Sequence, residues 1–213
     1  QLFQGNAPGD FSNQFLLEAS QNNLNIPKIK DSLKYMYDFF REIRNGKKFV
    51  DGNFIEFFRH LFEKPEILEW EKFWLQRNKD LDKEIYGLVK WVNPNLSFGL
   101  NVWNRNHFNL IRKIQWPWRE QVEYSDWVKP ITYQHQSGEI FQREIDIFGK
   151  TILDDLSGSE LTRVFAKILG INETSLENLT QRGLDPDTYI YTQCKDAVRG
   201  VCLLYTSPSP RDY

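Results

Sequence analysis

Apolar residues between Asn25 and Pro94 recur every three or four positions, the spacing of one helix face. Asn25 and Pro27 predict a helix start, with Asn as N-cap and Pro in the first turn, ahead of Ile29, Leu33, Tyr37, Phe40 and Ile43; Gly46 closes it. Asp51 predicts the cap of a second helix carrying Phe54, Ile55, Phe58, Leu61 and Phe62. Pro65 opens a long third helix in which Ile67, Trp70, Trp74, Leu81, Ile85, Leu88 and Val92 form one stripe, ended by Pro94. The pattern then changes. Leu96–Trp103 and Trp127–Tyr133 are short apolar runs of strand type, although Pro130 removes a ladder donor from the second. Helical spacing returns over Phe108–Ile114, Arg119–Tyr124 and Glu139–Leu153. It also returns after Ser157 and Glu160, whose spacing is that of a capping box, and after Asp185-Pro186; Asn172–Arg182 between them is a polar loop.

Both strand-like runs empty into polar residues, Asn104-Arg105-Asn106-His107 after the first and Gln134-His135-Gln136-Ser137-Gly138-Glu139 after the second. Apolar strands flanked by helices and ending in polar residues on the same side suggest parallel β-α units with a site at one rim. The expected fold class is therefore α/β, a partial (β/α)8 TIM-type barrel over residues 1–201, with an added helical insertion at about 26–93.

Composition narrows the function classes. The 213 residues are 40% hydrophobic and 26% charged, as a folded globular chain requires. A net charge of −2 supplies no field to draw nucleic acid or a membrane surface to the molecule as a whole, and no apolar run is long enough to span a bilayer. Two cysteines, Cys194 and Cys202, argue against a disulfide framework or a cysteine-based metal site; the expectation for cofactors and metals is none. Gly-rich phosphate loops, His-Glu-x-x-His helices and Gly-x-Ser-x-Gly elbows are absent. Aromatic residues reach 15%, which buried cores explain in part and carbohydrate clefts also use.

The segments Asp51-Gly52-Asn53-Phe54, Pro65-Glu66-Ile67-Leu68-Glu69-Trp70-Glu71, Ile85-Tyr86-Gly87-Leu88-Val89-Lys90, Gly99-Leu100-Asn101-Val102-Trp103, Tyr124-Ser125-Asp126-Trp127-Val128-Lys129-Pro130 and Gly183-Leu184-Asp185-Pro186-Asp187 together resemble an uncharacterised bacterial group classed with the glycoside hydrolases. The resemblance covers most of Asp51 to Val201 and implies a (β/α)8 barrel with sugar chemistry, but it hands over no catalytic residue. The end of the chain, Cys202–Asp212, resembles an in-frame translation of a transposon sequencing adapter, against the alternative of a natural Ser/Pro-rich tail. On that reading 202–213 is a non-native tail and the chain an internal fragment.

The expected function is glycoside hydrolysis on a carbohydrate substrate. The alternatives are a non-catalytic carbohydrate-binding barrel, or a helical interaction module if the two apolar runs are not strands. Glycoside hydrolysis needs two carboxylates. Glu139 is the one carboxylate close behind a strand end, and serves either catalysis or the first turn of its helix. His107 and His135 follow the two strands at equivalent points and would bond sugar hydroxyls, share in acid/base work, cap helices or ligate a metal, although no placed carboxylate completes a metal set. Trp103 and Tyr133 end the strands, as stacking faces or as the top of a core, and Asn104 bonds hydroxyls or makes a turn. Trp116 and Trp118 around Pro117 form a substrate platform or pack under their loop; His60 belongs to a helix core, and Asp126, preceding its strand, belongs to the opposite face.

Overall fold

Caps and punctuation act largely where the sequence places them. The computed structural model describes residues 11–103, 108–173, 176–177 and 179–202. The elements in chain order are α1 (Asn13–Gln21), α2 (Ile26–Arg44), α3 (Asn53–Glu63), α4 (Glu66–Val92), β1 (Gly99–Val102), α5 (Leu110–Gln115), α6 (Trp118–Gln121), a 3₁₀ turn (Val122–Tyr124), β2 (Trp127–Pro130), α7 (Gln134–Gly149), α8 (Gly158–Leu169), α9 (Leu179–Arg182) and α10 (Pro186–Cys202). They fall into two compact units, one drawn from Gln1–Lys79 and Asp146–Ser157, the other from Asp80–Ile145 and Gly158–Tyr213.

The first unit is helical. Asn25 Oδ1 accepts from the Lys28 amide at 3.1 Å and starts α2, as its sequence predicts. The buried face of α2 runs Ile29, Leu33, Met36, Phe40, Ile43, with Phe39 beside it; Tyr37 lies off this stripe and is exposed. Alternating steps of four and three keep those five residues on one face, which a step from Leu33 to Tyr37 leaves. Gly52, not Asp51, occupies the cap of α3, and of that helix only Asn53, Phe57 and His60 are buried, while Phe54, Ile55, Phe58 and Phe62 stay exposed. Ile67, Trp70 and Phe73 of α4 complete the core, with Phe11 stacked on Trp70 at 5.1 Å. Asp154 ties the unit together, bonding the Asn53 amide at 2.7 Å and pairing with Lys48.

The second unit holds β1 and β2. They pair in parallel, Gly99 against Trp127 through Val102 against Pro130, as their connection through helical segments suggests. Asp126 fixes the start of the ladder. Its backbone N–H donates to Phe98 O at 2.7 Å, while its carboxylate accepts from the Phe98 N–H at 2.8 Å and pairs with Lys90 at 2.7 Å. The Lys90 ammonium and the Phe98 N–H hold that carboxyl below the ordinary Asp value. Pro130 costs little as the last strand residue, since the ladder continues past it from the Ile131 N–H to Val102 O at 2.8 Å.

The barrel is overturned. Helix makes up 69% of the structure, and the sheet among the described residues has two short strands. A barrel strand is buried on both faces, whereas Asn101, Trp127 and Lys129 are exposed. The fold is mostly helical, and its two β-α units do not repeat into a barrel. Because the strand pair exists, the condition on which the helical-module alternative rested is not met either.

The core of the second unit gathers Phe108, Tyr124, Phe141, Ile145, Leu161, Phe165, Leu179, Leu184 and Tyr189. Phe108 stacks on Tyr189 at 5.6 Å, and the Ser137 hydroxyl donates to the Tyr189 phenol at 2.9 Å. Burial pushes that phenol up to about 12. A buried carboxylate ties residue 173 to residues 182 and 185, and Gln134 of α7 reaches the same turn. Glu173 accepts from Arg182 Nη2 at 2.6 Å, Arg182 Nη1 at 3.2 Å and the Asp185 N–H at 2.8 Å, and Gln134 bonds Arg182 O at 2.9 Å. Gly183, at φ +73°, sits against Gln134 so closely that a Cβ would come within 2.6 Å of its carbonyl carbon. The part of α4 in this unit turns Leu81, Ile85, Leu88, Trp91 and Val92 outward, so the second half of the predicted stripe lies on the surface.

Candidate functional site

A cleft of about 330 Å³ opens in the second unit at the C-terminal end of β1. Its wall begins at Val102, continues through Lys113 of α5 and Trp116, Pro117, Trp118, Arg119 and Gln121, and closes on Asp196, Arg199 and Gly200 of α10. That volume lies within the range of about 300–1,000 Å³ typical of small-molecule sites.

Local sequence explains the walls. Asn109 caps α5, its side chain accepting from the Arg112 N–H at 3.0 Å, and the helix ends at Trp116. Pro117 then stands at the cap of α6 in extended conformation, which separates Trp116 from Trp118 and starts a new helical turn. The Trp116 indole N–H donates to the Tyr124 phenol at 3.1 Å. Burial pushes Tyr124 up to about 12, so the phenol keeps its proton through the physiological range and stays a fixed partner. Trp118 rests on α10 at Gly200, where any Cβ would collide with the Trp118 Cβ. Small size at position 200 therefore permits the helix-to-turn contact that shapes the cleft.

Among the described residues the lining carries three cations, Lys113, Arg119 and Arg199, against one carboxylate, Asp196. Lys113 and Asp196 face each other at 3.7 Å, each about a third exposed. Arg119 and Arg199 are exposed, and among the described residues neither makes an ion pair. Chemically the cleft offers indole faces, directed donors and a positive field.

The residues predicted from sequence sit elsewhere. Trp103 and Tyr133 are 56% and 60% exposed just beyond the two strands. His135 and Glu139 lie four apart in the first turns of α7, on one exposed face, because the helix begins at Gln134 rather than Glu139. None of these four lines the cleft. Asn104 and His107 lie outside the described residues. His60 is buried between Tyr35 and Phe39, at ring distances of 4.6 and 4.5 Å, in keeping with a core role. Trp116 bonds Tyr124 and Trp118 packs on α10 at Gly200, and both line the cleft. Sequence reasoning passed over Arg119, which directly follows the Trp-Pro-Trp run, and the Asp196–Arg199 pair three apart on α10, which no sequence spacing connects to Lys113.

Among the described residues no cluster of three His, Cys, Asp or Glu side chains could hold a metal ion, and no helix is long and apolar enough to cross a membrane. No protein-family description, curated protein or solved structure matches the chain.

Proposed function

We propose that the second unit binds a carbohydrate in the cleft between α5, α6 and α10. The observation that carries this is the pair of tryptophans in a ligand-sized cleft, Trp116 pinned by Tyr124 and Trp118 seated on Gly200. Rigid indole faces cover the apolar C–H surface of a sugar ring, while Gln121, Lys113 and Asp196 offer donors and acceptors for hydroxyls. Hydrolysis would call for two carboxylates flanking the scissile bond, and among the described residues the lining supplies Asp196, already facing Lys113. Binding is therefore the function supported best, ahead of glycoside hydrolysis.

The test is a titration of intrinsic tryptophan fluorescence with a panel of hexoses and hexose derivatives, repeated on Trp118→Leu and Trp116→Phe. A saturable change in the parent, weakened about tenfold or more in either variant, supports the proposal. No saturable change with any sugar, or full retention in both variants, overturns it.

A further inference from the structure

The charge around the cleft says more than its shape. Of the four ionisable side chains lining it, Lys113 and Asp196 face each other at 3.7 Å, which leaves two guanidinium groups, Arg119 and Arg199, with no ion-pair partner among the described residues. They come from different elements, α6 and α10, and reach the same cleft from opposite ends of its lining sequence. The chain as a whole is mildly acidic, with a net charge of −2, so this local excess of positive charge is not a sample of the general surface.

We propose that the bound sugar is a phosphate monoester, its phosphate held by Arg119 and Arg199. This rests on the carbohydrate proposal above. A carboxylate has two oxygens and satisfies one guanidinium fork bidentately. A phosphate monoester has three terminal oxygens and about −1.5 to −2 charge near neutral pH, enough acceptors and charge for two forks. Two arginines that lack an ion pair among the described residues, on one small cleft, therefore match a phosphorylated ring better than a uronic acid, and much better than a neutral sugar. The tryptophan walls take the ring, and Lys113, balanced by Asp196, adds a donor without a further uncompensated charge.

Isothermal titration of the whole chain at fixed ionic strength separates the possibilities, using a hexose 6-phosphate, the parent hexose, a hexuronate and inorganic phosphate. The hexose phosphate is expected to bind at least about tenfold tighter than the hexose or the hexuronate. Arg119→Gln and Arg199→Gln should each remove about tenfold or more of that affinity and narrow the preference for the hexose phosphate over the hexose by a similar factor. Arg199→Lys should recover part of the loss, because it keeps charge but not the fork. Both arginines are exposed, and unchanged far-UV circular dichroism of the variants shows that the fold is intact. If hexose and hexose phosphate bind equally and the arginine variants behave as parent, the phosphate proposal is overturned while carbohydrate binding stands. If inorganic phosphate binds as tightly as the hexose phosphate, the carbohydrate proposal falls, and with it the sugar monoester. No binding of any probe removes both.

Discussion

Glu173→Gln should destabilise the second unit by about 2 kcal/mol, because one buried carboxylate holds three donors. The glutamate side chain is 3% exposed and its arginine partner 46% exposed. Glutamine keeps the shape but turns one oxygen into an N–H₂ group, which must then face Arg182 or the Asp185 amide, donor against donor. A lost hydrogen bond to a charged group is worth about 1.5–3 kcal/mol, and stranding a fully buried charge about 3–5. Water reaches half of Arg182 and screens what is left, so the lower part of the first range applies. Urea unfolding, followed by far-UV circular dichroism and tryptophan fluorescence together, resolves the two units if they unfold separately. With a slope of about 2 kcal/mol per molar, the midpoint should fall by about 1 M. The double-mutant cycle with Arg182→Gln should show a coupling of about 1 kcal/mol. A midpoint within about 0.2 M of parent, or additive single effects, would refute the clamp.

Gly183→Ala should cost about 3 kcal/mol, joining the strain of φ +73° to a collision with the Gln134 carbonyl, and an unchanged urea midpoint would contradict that geometry. Gly200→Ala should displace Trp118 and weaken any ligand of the cleft along with stability; sugar affinity equal to parent in this variant would mean that Trp118 is not a wall. Burial holds His60 below the ordinary imidazole value of about 6.5, while Glu56, Glu63 and Glu42 pull it up and Arg59 opposes them. The unfolded chain thus takes up the proton first as pH falls, so the stabilising contribution is complete above about pH 6.5 and is lost on acidification down to the folded value. Unfolding midpoints measured from pH 7.5 to 5 should fall in the parent and flatten in His60→Gln, and parallel profiles would exclude His60 as the source.

Local grammar was legible in this sequence, and global architecture was not. Asn25, Pro27 and Gly46 act through their own backbone bonds and dihedrals, so their meaning survives any tertiary context, and α2 begins and ends where they put it. The parallel pairing of β1 with β2 was legible because a connection through helical segments favours it. The number of strands was not, since each pair reports only its own pairing. Helical spacing shows in the sequence only from Glu139, yet Gln134–Gly138 already forms the start of α7, with Ser137 against Tyr189 and Gly138 against Leu179. Size rather than polarity decides those positions. The outward stripe of α4 defeats periodicity in another way, because a period marks a face without saying what lies on it. The cleft brings α5 and α6 to α10 across some eighty residues of sequence, and Lys113, Arg119, Asp196 and Arg199 carry no local mark of their meeting.

The central claim is that Trp116 and Trp118 form the walls of a sugar site, and the indole N–H signals of the seven tryptophans in a ¹H–¹⁵N spectrum test it directly. Each signal is assigned by a Trp→Phe variant, and a hexose 6-phosphate is added to saturation. The account predicts that the Trp116 and Trp118 signals move together along one binding curve while Trp91, exposed on α4, stays in place. Stationary Trp116 and Trp118 signals, or a response centred on Trp103 beyond β1, would contradict it.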